Sequence, residues 1–386
     1  MHSSSRNTGS MMNVQFLFTF ILRILSLVVQ TVLPLYLSST LHLPSYTVGL
    51  MISLLWIGNA LGAITGALLF RGWRKGGLTG LLLLAASFSG YFAFSSYHLL
   101  SLFIMAGGFG SGLIQPLLAP SMHSNSRPSS PFRGISLYST ALSLALVLGP
   151  LISSIVIGLS SFKMLFIMLS AICLISLSLP LMASNNEDGS EKKGLLTGLI
   201  QVFSRTLLLR DFRREFLMNL VYSLTLPIIL SFAGIVAEKV YNFSSTDVLL
   251  SLTALFAISS TIRFSMRNTG IKKFSKVMLL PASLLLVSSI ILYFGNSWFL
   301  FLAGLLLFSV PHATIYPWTL YNVFQTVDRE RLVQASYIFS LSSGISEFIS
   351  PPLTSFAIYY LGIAQGIGIM VPFSIIALFI ALTMYR

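Results

Sequence analysis

Apolar runs of roughly 20 residues, the length a helix needs to cross the hydrocarbon layer of a membrane, follow one another along nearly the whole chain with only short polar breaks. A backbone in lipid must satisfy its own hydrogen bonds, so runs of this length fold as helices. We place twelve spans, at 16–37, 46–70, 78–96, 99–122, 135–158 and 162–182, then at 216–237, 245–264, 277–294, 298–322, 333–360 and 365–385. The expected architecture is an all-α membrane protein. It has an N-terminal tail at 1–15, a six-helix bundle at 16–182, a central loop at 183–215 and a second six-helix bundle at 216–386. Only 9% of the 386 residues are charged, against roughly 25% in soluble domains, so no soluble catalytic or binding domain is left over. The run from Phe16 reads as the first span rather than as a cleaved signal peptide.

Lys and Arg give the orientation, because short cytoplasmic loops retain them. Arg71, Arg74 and Lys75 follow span 2, Arg127 and Arg133 follow span 4, and Lys192, Lys193, Arg205, Arg210, Arg213 and Arg214 lie in the central stretch. Arg263, Arg267, Lys272, Lys273 and Lys276 follow span 8, Arg329 and Arg331 follow span 10, and Arg6 and Arg386 are terminal. The opposite loops hold only Lys163 and Lys239, and Arg23 lies within span 1. Both termini and the central loop are therefore expected in the cytoplasm, with the chain in the cytoplasmic (plasma) membrane. The net charge of +13 is spread over these loop clusters rather than gathered on one face, which argues for topology and anionic lipid and against nucleic acid.

The two halves repeat each other weakly at an offset near 200. Leu43-Pro44-Ser45-Tyr46-Thr47-Val48 answers Phe243-Ser244-Ser245-Thr246-Asp247-Val248, and Ile114-Gln115-Pro116 answers Ile315-Tyr316-Pro317. Tyr138 followed by Gly149-Pro150-Leu151 answers Tyr337 followed by Pro351-Pro352-Leu353. With this repeat the chain resembles the major facilitator superfamily over nearly its whole length. The loop Gly66-Ala67-Leu68-Leu69-Phe70-Arg71-Gly72-Trp73-Arg74-Lys75 looks like that family's glycine-and-basic motif, with Phe70 where the family usually has Asp. Gly108-x-Gly110-x-Gly112 and Arg133-Gly134 are also familiar. Ala141, Ala145, Gly149-Pro150, Ser153 and Ser154 resemble the family's antiporter motif, although small residues four apart also make a packing seam and Pro bends a helix. Gly58, Gly62 and Gly66 form the same kind of stripe in span 2. The resemblance implies two pseudo-symmetric bundles that rock in alternating access, a small organic solute, and spans 1 and 11 lining the central cavity.

A charge at mid-membrane needs a reason to be there. Arg23 belongs to a one-faced stripe with Gln15, Thr19, Ser26 and Gln30, and Glu347 to another with Ser336, Ser340, Ser343, Ser350 and Thr354. These faces point at protein or water, and the resemblance makes them the walls of the translocation path. The structural alternative is that Arg23 and Glu347 pair with each other or with backbone carbonyls. His312, Tyr316, Asn219, Tyr222, Ser223 and Gln115 are further polar candidates inside spans, each also readable as a satisfied structural group, as are Trp56 and Asn59.

The other acidic residues fall in loops or at span ends, Glu215 among them, so no catalytic set of carboxylates assembles. The one cysteine, Cys173, excludes internal disulfides and a Cys-based metal site, and no phosphate-cradling loop is present. We expect no cofactor, no metal and no enzyme activity. The expected function is secondary transport by a monomer, coupled to protons through Glu347. A uniporter, or a receptor that keeps the fold without transporting, stays open.

Overall fold

The computed structural model describes residues 3–70, 73–124, 132–182, 209–266, 278–326 and 332–384. All of the regular structure among them is helical. In chain order, α1 is Ser3–Leu35, α2 Ser45–Leu69, α3 Trp73–Ala93, α4 Tyr97–Ser124, α5 Phe132–Leu159 and α6 Phe162–Leu181. The second half holds α7 at Arg210–Tyr241, α8 at Ser245–Met266, α9 at Leu279–Phe294, and α10 from Trp298 through Val323. It ends with α11 at Leu332–Leu361 and α12 at Ile363–Thr383.

Ten of these twelve are long and apolar enough among the described residues to cross a membrane; α9 is shorter, and α11 carries a Glu among its Ser and Thr residues. The chain is thus the all-α multi-pass membrane protein that its apolar runs predict. The first helix already begins at Ser3, well ahead of the span start at 16, because nothing between 3 and 15 breaks it. Of the central stretch, 183–208 lies outside the described residues, as do most of the basic clusters used for orientation, and Arg210 to Glu215 are the first turns of α7.

By their contacts the described residues form two units, 1–29 with 53–195 and 30–52 with 196–386. In the first, Gly58, Gly62 and Gly66 of α2 lie directly on the backbone carbonyls of Met105, Phe109 and Leu113 in α4. Gly108 and Gly112 return the contact against the carbonyls of Leu55 and Asn59. With no side chain between them the two backbones touch, an approach at which Cα–H groups also meet carbonyl oxygens. Trp73, at the start of α3, is fully buried with its ring 5.0 Å from Phe18 of α1.

In the second unit, Phe212 and Phe216 of α7, Val323 of α10 and Ala335, Ile338 and Phe339 of α11 form one core cluster. It ties three helices together at one end of the unit.

The internal repeat extends to the backbone. His42 and Asn242 both adopt left-handed conformations (φ 54° and 57°), and α2 and α8 begin three residues after them. Leu33-Pro34-Leu35-Tyr36-Leu37-Ser38 also answers Leu226-Pro227-Ile228-Ile229-Leu230-Ser231. In both places the proline is followed by a widened π-helical turn, Tyr36–Thr40 and Ile228–Ala233. Proline lacks the N–H that would serve the carbonyl four residues back. For Pro34 that carbonyl is Gln30's, and the Ser231 hydroxyl donates to it at 3.4 Å.

Candidate functional site

Arg23 sits half-buried on α1 with its Nε buried and without a hydrogen-bond partner. One turn on, Ser26 donates to the Leu22 carbonyl or shares its proton with Ser111 of α4, 2.7 Å away, and Gln115 Nε2 donates to Ser111 at 3.1 Å. The polar face of α1 therefore meets α4 inside the first unit. Gln30, the last member of the stripe, clusters with the second unit, and its buried Oε1 has no hydrogen-bond partner. On α5, Gly149 faces the Leu27 side chain, Pro150 is buried, and Ser153 donates to the Gly149 carbonyl at 2.8 Å.

The second unit holds the denser group. Asn219 of α7 is fully buried and donates from Nδ2 to Ser342 at 2.7 Å and to Ser343 at 3.0 Å, both on α11. Ser343 also meets Ser223 at 3.1 Å. The Asn219 Oδ1 is buried and accepts nothing. Glu347 stands one turn beyond Ser343 on the same face of α11, half-buried. Pro351 and Pro352, one turn further, remove the helical donors for the Glu347 and Phe348 carbonyls, so the backbone is interrupted beside the carboxylate.

The predicted serine face of α11 is divided between two tasks. Ser350 is fully buried and donates to the Leu224 carbonyl of α7 at 2.6 Å, as Ser346 does to the Leu220 carbonyl at 2.6 Å. These hydroxyls serve carbonyls where α7 breaks ahead of its π-turn. They staple helices, whereas Ser343 and Glu347 lie beside the staple.

His312 of α10 meets Tyr222 of α7, with Nδ1 2.6 Å from the phenol oxygen. Phe308 stacks near the imidazole and Phe256 of α8 meets it edge-on. Tyr316, one turn along α10, packs instead toward Phe339 with ring centroids 5.9 Å apart.

Two charges stand apart from their sequence reading. Glu215, expected among loop carboxylates, is 0% exposed; Arg214 donates to its Oε1 at 2.8 Å and Asn322 of α10 at 3.2 Å. Arg263, counted with the loop cations after span 8, turns into the unit and donates to the His312 carbonyl at 2.7 Å and the Ala313 carbonyl at 3.4 Å. A signal for Arg263 was present: it falls inside the apolar run assigned to span 8, and Pro317 of the facing span strips the Ala313 carbonyl of its helical donor. Glu215 had no comparable local signal.

The sequence profile of the Major Facilitator Superfamily matches residues 15–271. No curated protein sequence matches the chain. Among solved structures, it resembles a bacterial homolog of the human lysosomal transporter Spinster in an inward-facing, unoccupied conformation. The TM-score is 0.76 at 15% identity, covering 98% of this chain and 97% of that one. A point mutant of the nucleoside transporter NupG matches with a TM-score of 0.74 at 14% identity, over 97% of this chain and 100% of that one. A POT family transporter in complex with a thioalcohol-conjugated peptide gives a TM-score of 0.74 at 14% identity, over 97% and 95%. At these identities the likeness is one of fold.

Proposed function

The chain belongs to the Major Facilitator Superfamily, and from that premise we propose that it is a secondary active transporter carrying a small organic solute across the cytoplasmic membrane by alternating access, driven by protons. Its relatives in fold include a POT family transporter that holds a conjugated peptide and a nucleoside transporter, which supports a polar organic solute as the cargo class. The observation that carries the reading is the polar group of α7 and α11. Asn219, Ser223 and Ser343 form a hydrogen-bonded patch inside the unit, with Glu347 one turn away at a proline-interrupted stretch of helix.

In this reading Glu347 takes the coupling proton. A carboxylate that is wet in one state and dry in the other binds a proton in the second and releases it in the first, because desolvation disfavours its charged form. Arg23 contacts an anionic group of the solute in the first unit, since a guanidinium with an unserved N–H suits a carboxylate or phosphate. Gln30, Gln115, Asn219, Tyr222 and His312 supply neutral hydrogen bonds along the path. The protein works as a monomer with both termini in the cytoplasm, in contact with lipid.

The test is uptake into proteoliposomes across a panel of small organic solutes, with and without an imposed proton gradient. Accumulation that requires the gradient is expected for at least one solute. Glu347→Gln should abolish that accumulation yet keep counterflow between compartments of equal pH; a Gln variant that still accumulates would remove Glu347 from the coupling step.

A further inference from the structure

Arg263 does more than serve two carbonyls. Its Nη2, the atom that donates to the His312 carbonyl, lies 3.5 Å from His312 Nε2 on the same residue. A guanidinium has only donors, so the ring nitrogen facing it cannot also carry a hydrogen without setting two N–H groups head to head. A second ring proton would set an imidazolium beside a guanidinium. The Tyr222 phenol on α7, Phe256 on α8 and Phe308 on α10 also stand against the ring, and all three are uncharged.

We infer that Arg263 is a positioning residue that holds His312 as the neutral tautomer protonated on Nδ1, leaving the Tyr222 hydroxyl to donate to an oxygen acceptor, a carbonyl or carboxylate, on the transported solute. With Nδ1 protonated, the 2.6 Å bond runs from the imidazole N–H to the phenol oxygen. The tautomer of a histidine is set by what its other nitrogen meets, and here that is a cation. The Tyr222 hydrogen is then free to point elsewhere, and no acceptor for it is present among the described residues. Tyr222 is 2% exposed, so a solute reaches it only when the neighbouring helices part. The same arrangement keeps His312 from carrying the coupling proton. The solute half of this inference rests on the transport reading; the tautomer half does not.

The experiment is nitrogen NMR on the full chain in lipid nanodiscs with ¹⁵N-labelled histidine, the His312 signals being assigned by their loss in His312→Gln. Spectra are taken at about pH 6 and about pH 8, either side of the roughly 6.5 of a free imidazole. The expected result is a protonated Nδ1 and an unprotonated Nε2 at both. Arg263→Gln should release the ring, which then moves its hydrogen to Nε2 or titrates between the two pH values. Because loss of Arg263 also exposes the carbonyl freed by Pro317, the same substitution is made together with Pro317→Ala, which restores a helical donor; the ring should be released there too. Arg263→Lys keeps the charge and should keep the tautomer, and so should Tyr222→Phe. A wild-type ring protonated on Nε2, or one that keeps its Nδ1 proton in the double variant, overturns the inference. A tautomer that changes in Tyr222→Phe but not in Arg263→Gln also overturns it, giving the role to the phenol. None of these readings requires a transported solute, so a failure of the transport proposal is seen separately in the uptake screen.

Discussion

At the scale of single residues, charge and burial disagree in informative ways. Arg23 is a cation within an apolar helix whose Nε makes no hydrogen bond, so removing it breaks no hydrogen bond there and ends the cost of holding a charge among apolar groups. Arg23→Ala is therefore expected to stay folded, with stability changed by no more than about 1 kcal/mol, while solute uptake falls to background. Thermal unfolding in detergent and proteoliposome uptake, measured on the same preparation, check both halves. Arg23 and Glu347 were legible in the sequence because each stands alone in a long apolar run. Glu215 was not, because it opens a helix and looks like any charge at a helix end. What buries it includes Asn322, more than a hundred residues away, and no local pattern reports such a partner.

At the scale of helices, the small residues divide by what lies against them. Gly58, Gly62 and Gly66 were visible as a stripe, but the sequence could not say that α4 lies on it or that Gly108 and Gly112 answer from the other side. Gly62 touches the Phe109 backbone, which cannot step aside as a side chain can. Gly62→Ala should lower stability by about 1–3 kcal/mol, the usual cost of overpacking. Gly344 on α11 has nothing within 4 Å of where a Cβ would stand, so Gly344→Ala should instead gain up to about 1 kcal/mol from helix propensity. Thermal shifts of the two variants should move in opposite directions, and matching losses would mean that contact is not what separates them. Proline carries the second lesson of this scale. Its position in a span was plain from the sequence, whereas the group that meets the carbonyl it frees, Ser231 for Pro34 and Arg263 for Pro317, belongs to another helix and became visible only with the fold.

For the whole molecule, orientation is the property most open to direct test. Cys173 is fully buried, so the natural chain should be silent to thiol reagents, and one cysteine placed between 183 and 208 supplies the only signal. That cysteine should react with an impermeant reagent in inverted vesicles and not in intact cells; the reverse pattern would turn the chain over. The helical class and the repeat were readable from apolar runs and a handful of paired residues, and ten of the expected spans are long and apolar enough among the described residues to cross a membrane. The matched π-turns after Pro34 and Pro227 were not, since one surplus residue in a helical turn leaves composition unchanged. Their consequence is one of phase. An extra residue carries everything beyond it about 100° around the helix axis, so the wheel that describes α7 before Ile228 is the wrong wheel for Gly234–Tyr241, whereas α1 ends with its own turn at Thr40. A residue-by-residue accessibility scan along α7 should show its peaks jump by that angle between the turns before Ile228 and the turns after Ala233, like a clock put forward by one interval.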